Sequence, residues 1–392
     1  MKSGRLVLLG ALATLCLSAF AQINPSPTGG RERLPWGLPP DFPVPRIPMD
    51  NPPTQAKFEL GRHLFYDRRL SGNGKLACAG CHRQELAFSD GRPLSPGSTG
   101  ENTTRNAQHL GNSAWHTTYT WANPVLTTLE RQMGVPLFGE HPVEMGVNDQ
   151  NRDRIIERLR KQPIYRHLFQ AAYPGPAPAF SWQNVIASIA TFQRGLVTGN
   201  SRFDRYQRGQ ETLSESEMRG KDLFFGEKAE CFHCHGGFNF SDQIAHAGSR
   251  HVAASFHNTG LYNLDERGSY PEPSRGVYDI TGQDEDMGRF RAPSLRNVEV
   301  TAPYMHDGSV RTLEEVLSIY AAGGRNIESG KSRGDGRKNP QKSELIGTIK
   351  LTTDEQRDII NFLKTLTDQD FLRNLAFADP WGTSPGRRKS SK

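Results

Sequence analysis

Cysteine is scarce in this chain, with five residues among 392. Four of them form two copies of one pattern, Cys78-Ala79-Gly80-Cys81-His82 and Cys231-Phe232-His233-Cys234-His235, and the fifth, Cys16, lies near the start. If both copies act as units, only Cys16 remains, too few thiols for a structural disulfide. Long apolar runs are lacking too. The one near the N-terminus ends at Leu17 and is too short for a membrane anchor, so stable membrane insertion is not expected. The body of the chain also has no long basic run; its mild positive excess reads as a solvated surface, not a nucleic-acid face. Hydrophobic residues make up only 35%, beside 39 glycines and 26 prolines. That balance predicts a mainly α protein whose helices are joined by long ordered loops.

In C-x-x-C-H, the two thiols add to the two vinyl groups of a haem and the adjacent His turns onto the iron. A lone C-x-x-C also suits a dithiol redox pair or half of a zinc site. Two copies, each followed directly by His and placed behind an export signal, fit those uses poorly. We therefore expect two covalently bound c-type haems, one on Cys78, Cys81 and His82, the other on Cys231, Cys234 and His235.

Residues 1–21 read as that signal: Lys2 and Arg5, the apolar run, then Ala19-Phe20-Ala21 as the cleavage site. Leu15 precedes Cys16 where a lipoprotein signal needs a small residue, so plain cleavage is expected. Removing Lys2 and Arg5 lowers the formal charge from +6 to +4. Haems of this kind are attached outside the bacterial cytoplasm, which makes the periplasm the expected compartment.

The flanks of the two motifs repeat as well. Gly61-Arg62-His63-Leu64-Phe65-Tyr66 and Ala87-Phe88-Ser89-Asp90 frame the first; Gly220-Lys221-Asp222-Leu223-Phe224-Phe225 and Asn239-Phe240-Ser241-Asp242 frame the second. The offset, 231 − 78 = 153 residues, is too long for a solenoid repeat and suits two tandem cytochrome c-like haem domains. The expected division is a Pro-rich arm over 22–53, a first domain over 54–202, a second over 203–378 and a basic tail over 379–392. Helices are predicted over 54–66, 151–161, 182–198 and 214–225, the last capped by Ser214 with Glu217. Two more are expected to be capped by Thr312 with Glu315 and by Thr353 with Gln356. Residues 91–148 and 243–310 read as long loops, and 203–209 as a linker.

Both motifs, with Arg105-Asn106, Pro142-Val143-Glu144-Met145-Gly146, Ala292-Pro293-Ser294-Leu295-Arg296-Asn297 and Thr301-Ala302-Pro303-Tyr304-Met305-His306-Asp307-Gly308, resemble the bacterial di-haem cytochrome c peroxidase and MauG superfamily over nearly the whole mature chain. The stretches Leu34-Pro35-Trp36-Gly37-Leu38-Pro39, Leu137-Phe138-Gly139-Glu140-His141 and Tyr320-Ala321-Ala322-Gly323-Gly324 look most like its MbnH branch, whose members use peroxide to oxidise a tryptophan on a partner protein.

The resemblance implies a division of labour. The first haem is the reactive one, and Ser95-Pro96-Gly97-Ser98-Thr99-Gly100 lacks the His that caps it in many relatives, so its distal face is expected to be open. Glu144, Gln132 and Pro136 are expected above that face. Breaking the O–O bond of peroxide requires moving a proton from the near to the far oxygen, which a carboxylate can relay. Trp121 is expected between the haems, as a carrier of an electron hole. Tyr320 takes the position of the second haem's sixth ligand. By spacing alone it continues a core face of Leu313, Val316 and Leu317; Met305 and Met287 are the other ligand choices. The resemblance also implies one calcium ion, held by Asn106 and the carbonyls of Thr301 and Pro303.

The expected activity is thus peroxide-dependent oxidation of an aromatic residue on a periplasmic partner, an MbnP-like small copper-binding protein. The alternatives are reduction of hydrogen peroxide with electrons from a small cytochrome or cupredoxin donor, and a non-catalytic electron carrier.

Overall fold

The structure is a computed structural model, in which residues 34–252, 254–347 and 349–382 are described. The signal segment and the tail beyond Gly382 lie outside the described residues.

The first helix, α1 (Gln55–Phe65), starts where the Thr54 side chain accepts a hydrogen bond from the Lys57 N–H. Short helices α2 (Leu129–Gln132) and α3 (Gly134–Phe138) interrupt the long first loop. Then come α4 (Arg152–Arg160), α5 (Pro163–Ala172), with proline in its first turn, and α6 (Trp182–Arg194), capped by Ser181. The expected linker is instead a packed helix, α7 (Arg202–Gln207), because Ser201 and Asp204 close a capping box and Phe203 is buried. The second half holds α8 (Glu215–Phe224), α9 (Phe232–His235), α10 (Tyr278–Thr281), α11 (Leu313–Ala321), a two-residue antiparallel pair β1 (Asn326–Ile327) and β2 (Gly334–Asp335), α12 (Thr353–Lys364) and α13 (Gln369–Arg373).

Of the expected caps, Ser214 with Glu217 forms a full capping box. Thr312 caps α11, but Glu315 accepts from the Arg311 N–H rather than from its cap residue. The last cap is one residue earlier than expected. Thr352, still extended, pairs with Glu355, and Thr353 is already helical, so Gln356 stands one place too far along to reciprocate.

The sequence repeat has a direct structural meaning. In the first half α1 crosses α6, and in the second α8 crosses α12; the paired glycines of the repeat sit at the two crossings. A Cβ on Gly61 would stand 2.0 Å from the Ser188 carbonyl oxygen, and one on Gly220 would stand 1.9 Å from that of Asp358. Only glycine permits so close an approach. Phe58, Leu64, Phe65, Ile189 and Phe192 fill the first core, and Phe203, Phe224, Ile359, Phe362 and Leu363 the second. The architecture is mainly α, with a helical core behind each motif. Phe371 and Phe377 from the end of the chain cross back to the first core, and Phe42 of the arm packs against Trp115 and Phe238, stitching the halves together.

Candidate haem sites

Each C-x-x-C-H segment curls into a single helical turn, Cys78–Gly80 in the first half and α9 in the second. None of the four cysteines is paired in a disulfide. Burial pushes Cys78 and Cys231 up to about 12 and Cys81 up to about 11, the mark of apolar surroundings.

The repeated Phe-Ser-Asp flanks orient the two histidines. His82 Nδ1 lies 2.7 Å from the Phe88 carbonyl oxygen, and His235 Nδ1 lies 3.2 Å from that of Phe240. A ring nitrogen facing a carbonyl must donate, so each Nδ1 carries the hydrogen and each Nε2 presents its lone pair. Burial lowers both imidazoles below the ordinary histidine range, which keeps them neutral and ready to bind a metal. Phe88 and Phe240 turn their carbonyls inward by adopting positive φ, 65° and 50°. For a bulky residue that conformation is costly and marks a constrained position.

In the first site, the chain over 144–147 is clasped from two sides. Gly72 N–H donates to the Met145 carbonyl and Ser98 N–H to that of Glu144, while Met145 and Val147 N–H donate to Pro136 and Leu137. Pro136 and Glu144 therefore lie side by side. The Glu144 carboxyl acts electrostatically on both Cys78 and Cys81, and burial alone raises it to about 7. Gln132 stands half-buried on α2, which Glu130 anchors to Arg194 through paired contacts of 2.7 and 2.6 Å.

In the second site, Cys231, Cys234 and His235 open onto an apolar cavity walled by Phe224, Val298, Leu313, Leu317 and Leu363. Tyr320, from α11, lines the same cavity and is electrostatically coupled to both thiols; burial raises its phenol well above the ordinary tyrosine range. Trp121, Asn106, Thr301, Pro303 and Met305 are on the wall as well, whereas Met287 packs in a neighbouring apolar cluster. Trp121 Nε1 donates to the Asn106 carbonyl at 2.8 Å. The segment 106–109 is shared between the sites, since Gln108 also lies against His82 of the first.

A haem fits this cavity on two counts. Its faces are apolar, and its rim carries unpartnered buried polar atoms: Nε and Nη2 of Arg291, Nε2 of Gln108, Nδ1 of His109 and Nε2 of His306. Buried polar groups are nearly always paired, so such a cluster calls for a missing polar ligand. The Arg291 side chain donates to the Thr118 carbonyl and to His116 Nδ1 but to no carboxylate, and burial lowers it to about 10 against the pull of Tyr119 and Asp242. Haem propionates would supply the hydrogen-bonded carboxylates that Nε and Nη2 lack. These four residues were not legible as a set. Arg291 directly precedes the Ala292-Pro293 stretch and Gln108-His109 follow Arg105-Asn106, but only folding shows that they share a rim.

Two C-x-x-C-H sites in tandem helical halves define a di-haem c-type protein. The chain belongs to the family of di-haem cytochrome c peroxidases and MauG proteins, and is a peroxide-dependent oxidoreductase with two covalently bound haems. The family model for di-haem cytochrome c peroxidase matches residues 55–212. Cytochrome-c peroxidase IdrP1 of Pseudomonas sp. (strain SCT) is 36% identical, over 84% of this chain and 86% of its own. MauG of Methylorubrum extorquens is 34% identical, over 81% and 80%. A crystal structure described as a MauG-like protein associated with microbial copper homeostasis superposes with a TM-score of 0.87 at 55% identity, over 88% of this chain and 99% of that one.

Proposed function

We propose that this enzyme spends hydrogen peroxide on the oxidation of a tryptophan in a small copper-binding partner protein in the periplasm. The observation that carries this reading is that Tyr320 lines the same cavity as Cys231, Cys234 and His235 and acts electrostatically on both cysteines. The 55% identity to the copper-associated MauG-like protein supports it. Among the described residues no helix is long and apolar enough to cross a membrane.

When bound, the haems supply the redox chemistry: one meets the oxidant, and the other stores an electron hole. The residues then have separate tasks. His82 and His235 would hold the two haem irons. Glu144 takes a proton from the near oxygen of peroxide and returns it to the far one, with Pro136 packing beside it and Gln132 orienting the oxidant. Tyr320 would offer the second haem a phenol oxygen, which favours higher oxidation states than a thioether does. Trp121 passes charge between the sites. Asn106, whose Nδ2 is committed to the Arg92 carbonyl at 2.7 Å, offers Oδ1 to a calcium ion together with the carbonyls of Thr301 and Pro303. The two modules divide near residue 202.

Replacement Tyr320→Phe is expected to convert the second haem from low-spin to high-spin, and Tyr320→Met to restore a low-spin centre of higher potential. Electron paramagnetic resonance of the resting ferric protein reads both. An unchanged low-spin signal in Tyr320→Phe removes Tyr320 from the iron.

A second reading, reduction of peroxide with electrons from a small cytochrome, is favoured by the identity to cytochrome-c peroxidase IdrP1. One experiment separates the two. Holoenzyme and peroxide are incubated with a small secreted copper-binding protein, sought among the proteins encoded near the enzyme, and its tryptic peptides are weighed. Oxygen gained on one tryptophan supports the proposal. Rapid turnover of reduced cytochrome c with an unmodified partner refutes it.

A further inference from the structure

Beyond the cavity wall lies a tyrosine for which neither the fold nor the haem chemistry above gives a use. Tyr262 is 6% exposed, and its phenol donates a hydrogen bond to the Asp307 carboxylate. The Arg325 guanidinium sits over its ring, 4.6 Å from the centroid, and is itself held by Ser309 Oγ at 2.6 Å. On its other side, Tyr262 stands 6.4 Å from His306. That imidazole stacks on Phe290 at 3.7 Å with the planes 12° apart, and both rings line the second haem cavity. Tyr262 and Trp121 also belong to one apolar cluster. A continuous line of rings thus runs from the cavity to Tyr262, and the half-exposed Arg325 lies next to it.

We propose that Tyr262 is a proton-coupled electron donor to the second haem site, with Asp307 as its proton acceptor; the inference rests on the peroxide-dependent chemistry above. A phenol that gives up an electron becomes a strong acid and must lose its proton at once. Asp307, an acceptor already in hydrogen-bond contact, takes it. The guanidinium over the ring face opposes any build-up of positive charge there, which enforces departure of the proton with the electron. The neighbouring Tyr270 is the informative contrast. Its hydroxyl donates to the Asn258 side-chain oxygen at 2.8 Å and accepts from the Leu261 N–H at 3.0 Å. Both partners are amides, and neither takes a proton.

The step balances. Peroxide leaves the haem pair short of electrons; Tyr262 supplies one and becomes a neutral phenoxyl radical, while its proton converts Asp307 to the acid. An electron from the partner protein and the same proton then restore the phenol and the carboxylate.

The test is rapid freezing of the holoenzyme after mixing with hydrogen peroxide, with electron paramagnetic resonance on protein carrying ring-deuterated tyrosine and optical spectra of the haems in parallel. The expected result is a tyrosyl signal that is lost in Tyr262→Phe and in Asp307→Asn and kept in Tyr270→Phe, with the haem optical response intact in each. A tyrosyl signal that survives Tyr262→Phe overturns the assignment, as does its absence from wild-type protein whose haems respond to peroxide. Haems that ignore peroxide overturn the peroxide chemistry itself, a failure the optical trace tells apart. Difluorotyrosine at 262, which preserves the ring and its packing, shifts the signal if the radical is there and leaves it unmoved if it is not.

Discussion

Glu144→Gln is expected to slow the reaction with peroxide by about 10²–10⁴-fold, the usual share of a positioned acid–base group. The amide keeps the shape of the side chain but relays no proton. Stopped-flow absorbance of the haems checks this, and a variant as fast as wild type removes Glu144 from the chemistry. The same carboxyl predicts a pH dependence. Burial raises it to about 7, and only the ionised form can take a proton from peroxide. The wild-type rate is therefore expected to rise as pH climbs through about 7 and to fall away below it. In the Gln variant that limb should vanish, leaving a low, flat profile. A limb that persists belongs to another group.

The second large effect is on stability. Arg296, 2% exposed at its side chain, meets fully buried Asp204 in a two-pronged ion pair of 2.9 and 3.0 Å. It also donates to the Phe238 carbonyl and lies over the Phe42 ring at 4.8 Å. The pair thus joins the Pro-rich arm, α7 and the loop after the second haem motif. Burial alone would raise the Asp204 carboxyl, but Arg296 and Ser201 hold it below the ordinary carboxylate range. Asp204→Asn leaves a guanidinium buried with no counter-charge and is expected to cost about 3–5 kcal/mol, a large part of the roughly 5–15 kcal/mol that holds a typical domain. Replacing both partners, Asp204→Leu with Arg296→Met, should recover much of the loss, because no orphaned charge remains. Denaturant midpoints followed by haem absorbance decide it; an unchanged midpoint for the single variant refutes the argument.

Some elements were readable from local pattern alone, and some were misread for identifiable reasons. Ser214 with Glu217 marked the start of α8 because a cap depends on four consecutive residues. The last helix was placed one residue late because Thr352-Thr353 and Glu355-Gln356 offer two registers of the same pattern, and only the backbone angles choose between them. Residues 203–209 looked like a linker because so short a stretch shows no periodicity. Burial of Phe203 and the Asp204–Arg296 pair made it a helix. Thr312 kept its cap while Glu315 turned to Arg311, a choice decided by where the preceding loop runs.

The sequence by itself determined the covalent chemistry and the duplication. Thioether attachment needs only two thiols and a histidine at fixed spacing, and the glycines and phenylalanines flanking each motif are repeated in place. Tertiary structure alone decided what those repeats do. It set Gly61 and Gly220 at helix crossings and turned the Phe88 and Phe240 carbonyls onto the histidines. It also gathered Arg291, Gln108, His109 and His306 around one cavity and set Tyr262 against Asp307. Covalent bonding reads neighbours along the chain, whereas desolvation, charge pairing and electron transfer depend on distances in space, which a string of residues does not contain.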